Sequence, residues 1–350
     1  MKKGVLIISI LSDFFSNYLP KTKGVSHNTI KSYEYAFQLL FQFLLNDKQI
    51  TPEMVTFQTL CNGIVEEFLN WLEETRHCGI RTRNQRLAAI SSFAKYAMKQ
   101  NISESLTFGA EVTNIPNKKV AYTDNVIYFT KEEIGVILRT PNISTDIGYR
   151  DTTLMSVLYA SGARAQELCD LKVDDIIISD KISLTLRGKG NTIRKVIIPD
   201  DCSKLLNEYL NTLKKYNNKN YQWDRKYLFS SQTHEHMTIS CIEAIVKKYV
   251  CEAKKQRPDL FHHKQYSPHS FRHSISVHML ESGVPLPVIK NFLGHKSIQT
   301  TMIYATVTPE LAAKYLQENS YEAQFPEKKK EIENATILLP FLNRIYINKK

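Results

Sequence analysis

Apolar residues in the first hundred positions recur at three- and four-residue intervals, the repeat of one helix face. Ile30, Tyr33, Phe37, Leu40, Phe41 and Leu44 form one such stripe, with Ser26 placed as its N-cap. A second stripe, Leu87, Ile90, Phe93, Ala94 and Ala97, follows Thr82 and Gln85, which have the spacing of a capping box. Residues 9–100 therefore predict a small helical bundle. The period fades over residues 101–128, where Asn114, Pro116, Asn117 and the pair Lys118 and Lys119 predict an extended linker. Helical spacing resumes after Thr130 and Glu133, another capping box, with Ile134, Val136, Ile137 and Leu138 behind it. A helix through Leu154, Val157 and Leu158 ends at a tight turn, Ser161-Gly162, and a short helix follows around Glu167 and Leu168. Three β-rich runs come next, 176–179, 182–186 and 193–198, the last two joined by the hairpin loop Gly188-Lys189-Gly190-Asn191. From about 200 to 318 the pattern is helical again.

The expected fold is thus mainly α with one small antiparallel β-sheet, in two domains. A helical domain spans 1–100, the linker 101–128, a second domain 129–318 and a tail 319–350. A helix at 309–316 and the apolar stretch 337–342 in the tail are suited to docking on a neighbouring copy.

Composition narrows the partner. The 350 residues are 43% hydrophobic, ample for two cores, and carry 46 Lys and Arg against 35 Asp and Glu, a net +11. That excess suits a polyanion, nucleic acid or an anionic membrane surface, and equally an ordinary basic enzyme. Lys2 and Lys3 before a short apolar run imitate a signal peptide, but no small-residue cleavage site follows, so an N-terminal helix or strand packed on a core is expected. No stretch is long and apolar enough to span a bilayer. Cys61, Cys78, Cys169, Cys202, Cys241 and Cys251 are scattered, as reduced thiols in a cytoplasm would be. His234, His236, His262 and His263 lack cysteine partners at metal-ligand spacing, so no metal is expected. Arg81, Arg83 and Arg86 crowd the start of the second helix, where the macrodipole disfavours cations. They are either a solvated basic end or phosphate contacts, and the second reading makes them candidate DNA-binding residues.

Five boxes carry candidate chemistry: Ser161-Gly162-Ala163-Arg164-Ala165-Gln166-Glu167-Leu168; Gly188-Lys189-Gly190; His269-Ser270-Phe271-Arg272-His273; Leu293-Gly294-His295; and Tyr304, nine residues beyond that histidine. Taken singly, Arg164 is as readily a salt-bridging arginine, Lys189 a hairpin lysine and Tyr304 one of eighteen tyrosines. Together and in this order they resemble the tyrosine recombinases of the phage-integrase family, over roughly residues 9–318. The resemblance implies an enzyme that cuts and rejoins double-stranded DNA at specific recombination sites, through a 3′-phosphotyrosyl link to Tyr304. It implies no cofactor, neither metal nor ATP, and a homotetramer in the synaptic complex, with two domains clamping the duplex.

Physical chemistry supports the same roles. Attack on a phosphodiester must overcome the phosphate's charge and a poor alkoxide leaving group. Arg164 and Arg272 offer permanently charged forks for nonbridging oxygens. His269 lies three positions before Arg272, on one helix face, and His295 adds a donor. A phenol of pKa near 10 is only about 0.1% ionised at neutral pH. Nearby arginines are expected to lower that value, and His269 to take the proton. Lys189 at the hairpin tip is the candidate general acid, Glu167 a supporting residue and Arg194 an auxiliary DNA contact.

Two positions depart from the family pattern: Thr192 stands where a second lysine is usual, and Phe271 where leucine is commonest. The rival readings are a type IB topoisomerase, which has similar catalytic residues, and a DNA-binding regulator that has lost catalysis. A binding-only protein has no need of a nucleophile.

Overall fold

The structure is a computed structural model that describes residues 7–100, 102–120, 126–188, 192–217, 226–231 and 233–305. The chain divides into two compact units, residues 1–123 and 124–350.

In the first unit, helix α1 (Ile7–Asp13) continues as a wider coil, Phe14–Thr22, and Ile7, Leu11, Phe14 and Leu19 are buried. The apolar start is therefore core, as its spacing suggested. Helix α2 (His27–Lys48) follows Ser26, whose hydroxyl bonds that of Thr29 instead of a backbone N–H. Its buried face is Ala36, Phe37, Leu39, Leu40, Phe43 and Leu44, while Phe41 is half-buried. Helices α3 (Ile64–Glu74) and α4 (Ile80–Ala97) complete the packing around Phe93. Four phenylalanines, Phe14, Phe37, Phe57 and Phe108, place their rings 5.3–6.2 Å from that of Phe93.

Two local expectations change here. Helix α4 starts at Ile80 behind an extended Gly79, so Thr82 already lies in the first turn and the Thr82–Gln85 capping box does not form. Gln85 donates instead to the Ser32 hydroxyl of α2 at 2.9 Å. The segment expected as an extended linker contains helix α5 (Ser103–Asn114), which packs on α4. Phe108 and Val112 are a single turn apart and both buried, enough to hold a short helix against a ready apolar surface.

The second unit opens with α6 (Lys131–Arg139). Its capping box is complete: Glu133 N–H donates to Thr130 Oγ1 at 3.1 Å and Thr130 N–H to Glu133 Oε2 at 2.8 Å. Helix α7 (Asp146–Ser161) is buried along most of its length, including Leu154, Met155, Val157 and Leu158, and ends at Gly162. Helix α8 (Ala165–Cys169) leads to strands β1 (Ile176–Ile178), β2 (Ile182–Gly188) and β3 (Thr192–Ile197), antiparallel in the order β1-β2-β3. Leu184 pairs with Val196 and Leu186 with Arg194, so Leu184, Leu186 and Val196 face the core. Helices α9 (Asp200–Asn217), α10 (Ile239–Gln256), α11 (Pro268–Glu281), α12 (Leu286–Leu293) and α13 (Gln299–Met302) follow, and α7 packs against α9 and α11. Among the described residues no helix is long and apolar enough to cross a membrane. Lys189, the 309–316 segment and the 319–350 tail lie outside the described residues.

Candidate active site

Two left-handed glycines aim the site. Gly162, at φ 57°, ends α7, and a Cβ there would sit 3.0 Å from the Phe292 ring and 3.1 Å from the Leu293 side chain. The turn delivers Arg164 to the start of α8, where its Nη1 donates to Glu167 Oε1 at 2.7 Å. Gly294, at φ 66°, ends α12 and delivers His295. A Cβ on Gly294 would stand 3.1 Å from Arg194 Cδ.

Glu167 is buried and gathers donors from two elements. It accepts from the Arg164 backbone N–H at 2.9 Å, and from Arg194 Nη1 at 2.9 Å and Nη2 at 2.8 Å, besides the Arg164 guanidinium. Burial alone would raise its pKa, but the Arg194 bonds and charge, with the backbone and side-chain bonds of Arg164, hold it below the usual carboxylate value. It is therefore an anion clamped between two cations.

Helix α11 contributes His269, Arg272 and His273, at i, i+3 and i+4, to one face. Arg272 is fully buried. Its Nη1 donates to the carbonyl of Gly162, and its Nη2 to that of Leu293 at 2.7 Å. One side chain so ties together the turn before Arg164 and the turn before His295. Each Nη nitrogen keeps a second N–H, so the fork is not exhausted. Burial, then the Arg164 and Arg194 charges, works against its protonated form, yet a guanidinium stays ionised in proteins.

His295 Nδ1 and the buried Thr301 hydroxyl share a hydrogen bond of 2.9 Å, which anchors α13. The Tyr304 N–H donates to the Thr301 carbonyl at 3.1 Å, and its ring is buried with Val277, Leu280, Ile289 and Leu293. The Tyr304 hydroxyl lies 3.1 Å from His273 Nδ1. The His273 and His269 rings meet edge to face, 4.5 Å between centroids.

Every histidine of the cluster is pushed towards neutrality. Desolvation and the Arg272 and Arg164 charges lower His269. Desolvation, His269, Arg272 and His295 bring His273 down to about 3. Desolvation with Arg272, Arg164, His269 and Arg194 brings His295 down to about 4. Burial raises the Tyr304 phenol above its ordinary value, against the Ser276 hydroxyl and the Arg272 and Arg164 charges, which pull it down. The site is thus a nest of cations and neutral imidazoles around a protonated phenol. Such a nest suits an anion with several oxygens.

The phage integrase family model matches residues 128–310, and the model of the family's N-terminal SAM-like domain matches residues 13–101. The chain belongs to the phage integrase family. It is a tyrosine recombinase, an enzyme that breaks and rejoins DNA. Similar proteins include the putative integrase/recombinase y4rC of Sinorhizobium fredii, 28% identical over 99% of this chain and 100% of that one. The putative integrase/recombinase y4rD of the same organism is 30% identical over 78% of this chain and 95% of its own. The fold is shared with XerH site-specific recombinase bound to palindromic difH substrate in a post-cleavage complex, at TM-score 0.65, 18% identity and 91% coverage of both chains.

Within this phage integrase, Arg164, His269, Arg272, His295 and Tyr304 interact electrostatically in one cluster, although they are spread over 141 positions of the chain, from 164 to 304. Four expectations are corrected. Arg194 is engaged by Glu167, its side chain only 12% exposed, and so holds strand β3 to helix α8. Arg83 is buried and donates to the Pro116 carbonyl at 2.9 Å and to Asn84, a structural bond that holds the segment after α5. The arginines do not bring the Tyr304 pKa below its ordinary value, because burial of the phenol outweighs them. The hydroxyl's partner is His273 rather than His269. Arg86 is half-buried, its guanidinium 4.8 Å from the Tyr35 ring centre and bonded to the Ser32 carbonyl, while Arg81 is exposed. The histidine-arginine box by itself assigns His273 no role; its spacing of four from His269, which sets both on one helix face, is the signal in the sequence.

Proposed function

We propose that this recombinase exchanges strands between specific double-stranded DNA sites, for integration or excision of a mobile element, through a 3′-phosphotyrosyl bond to Tyr304. The observation that carries the reading is Arg272, which couples the Arg164 turn to the His295 turn beside the Tyr304 phenol. Arg164 and Arg272 supply N–H groups to the nonbridging oxygens, and His269 and His295 add two more donors. An arriving phosphate raises the pKa of those imidazoles and strengthens both contacts. The Tyr304 oxygen bonds to phosphorus, the bond to the 5′ oxygen breaks, and Lys189 protonates that oxygen. The phosphotyrosine keeps the energy of the phosphodiester, so rejoining needs neither nucleotide nor metal.

The first unit has a face suited to the duplex. Arg81, Ala88, Ser92, Lys95 and Lys99 follow one another along the accessible side of α4 and the turn beyond it, and Lys23 Nζ donates to Ser92 Oγ at 3.0 Å. Small side chains between cations let a helix approach a groove closely while phosphates are met at its edges. The enzyme works as a homotetramer on paired sites in the cytoplasm, where its six cysteines stay reduced.

The test is covalent trapping on a nicked suicide duplex carrying the element's end sequence. Wild type should give a protein–DNA adduct and Tyr304→Phe should bind without one; an undiminished adduct in the variant overturns the assignment. Exchange between two sites, against relaxation of plain supercoiled plasmid, separates a recombinase from a topoisomerase-like activity.

A further inference from the structure

The Tyr304 hydroxyl has one imidazole within hydrogen-bond distance, and it is not the one that sequence spacing pointed to. His273 Nδ1 lies 3.1 Å from that oxygen, whereas His269 stands one helical turn earlier and meets His273 only edge to face. We propose that His273 accepts the Tyr304 proton during DNA cleavage and returns it on rejoining. The inference rests on Tyr304 being the nucleophile.

Geometry sets the direction: with the ring's proton on Nε2, the Nδ1 lone pair faces the Tyr304 hydroxyl at 3.1 Å and accepts from it. In the free enzyme burial raises the phenol and holds His273 down to about 3, so both shifts oppose full transfer. The groups facing His273 are His269 and Arg272 on its own helix, His295 beyond α12, and Tyr304 itself. All but the phenol oppose a positive imidazole. Their opposition weakens once a phosphate sits among them, because its negative charge offsets Arg272 and favours an imidazolium. Proton transfer is thereby coupled to substrate arrival. In the step, the Tyr304 O–H bond breaks, its proton moves to His273 Nδ1, the freed electron pair forms the O–P bond, and the departing 5′ oxygen takes its proton elsewhere, from Lys189. Rejoining runs the sequence backwards, and nothing is oxidised or reduced.

His273 also orients the phenol, and a purely structural role would lower the rate without changing its pH dependence. Single-turnover adduct formation on the nicked duplex should therefore be followed from pH 6 to 9 in wild type, His273→Ala and His273→Asn. Asn offers an oxygen near the Nδ1 position but takes no proton, so it keeps orientation and loses transfer. Wild type should change little between pH 6 and 8. Both variants should rise about tenfold per pH unit, as the phenolate fraction supplied by solvent does well below the phenol's pKa. Gel-shift affinity for the duplex, measured in parallel, should be unchanged and shows that the variants are folded. Variant profiles parallel to wild type, or an Asn variant with the wild-type rate and profile, would overturn the inference while leaving Tyr304 as the nucleophile. An adduct that persists in Tyr304→Phe would sink the nucleophile assignment itself, and the inference with it.

Discussion

Arg194 and Glu167 form a two-pronged ion pair, Nη1 to Oε1 at 2.9 Å and Nη2 to Oε2 at 2.8 Å, that ties strand β3 to helix α8. Both side chains are largely removed from solvent, and Arg164 shares the same carboxylate. Removing the carboxylate leaves a buried guanidinium without its counter-charge, so Glu167→Ala should cost about 3 kcal/mol of stability. The more exposed Arg164 bond adds little to that figure. Urea unfolding measures it, and Glu167→Gln should lose less because its amide oxygen still accepts. A change below about 0.5 kcal/mol in Glu167→Ala would show the clamp to be dispensable.

Glu167 and the histidines titrate in different windows. Because the folded pKa of Glu167 is depressed, its contribution is present above the unfolded value, about 4.3, and is lost as pH falls below it. His273 at about 3 and His295 at about 4 also lie below their unfolded value, near 6.5. Between these limits the unfolded chain binds protons that the folded chain refuses, so stability should fall as pH drops from 6.5 towards 4. The slope should be roughly 1 kcal/mol per pH unit for each histidine. Urea midpoints at pH 4.5 to 7 for wild type and the His273→Asn, His295→Asn double variant give the comparison, and equal slopes would refute the assignment.

Arg164→Lys keeps the charge but loses the fork that bonds Glu167 and is offered to phosphate. Adduct formation should fall by at least about 100-fold, the scale of one transition-state donor, with duplex binding changed far less. Near-normal cleavage would remove Arg164 from the reacting centre.

Lys189→Ala should be slow on an ordinary duplex and restored on one with a 5′-bridging sulfur, a leaving group that needs no proton. Absence of rescue would argue for another general acid.

On the first unit, Lys95→Ala combined with Lys99→Ala should lower the slope of log affinity against log salt by up to about 2, if each lysine meets one phosphate. An unchanged slope would place the duplex on another face.

Local chemistry was legible where its partners are local. The capping box of Thr130 and Glu133 needs only three residues of helix, and Gly162 and Gly294 serve as turns because left-handed backbone favours glycine wherever it occurs. The bond of Arg164 to Glu167 is likewise within one turn. Where a side chain chooses between distant partners, spacing was silent or misleading. Arg83 and Arg194 were equally good phosphate ligands until burial handed one to the Pro116 carbonyl and the other to Glu167. Gln85 abandoned Thr82 because Ser32 of a neighbouring helix was within reach.

By itself the sequence determined which residue types could do phosphoryl-transfer chemistry, in what order, and on which helix faces they stand. Only the tertiary structure decided that Arg272 is buried against two carbonyls from separate turns and that the phenol meets His273. Hydrophobic periodicity orients a side chain relative to its own helix axis, whereas contacts between helices depend on crossing angles and depths set by the whole core.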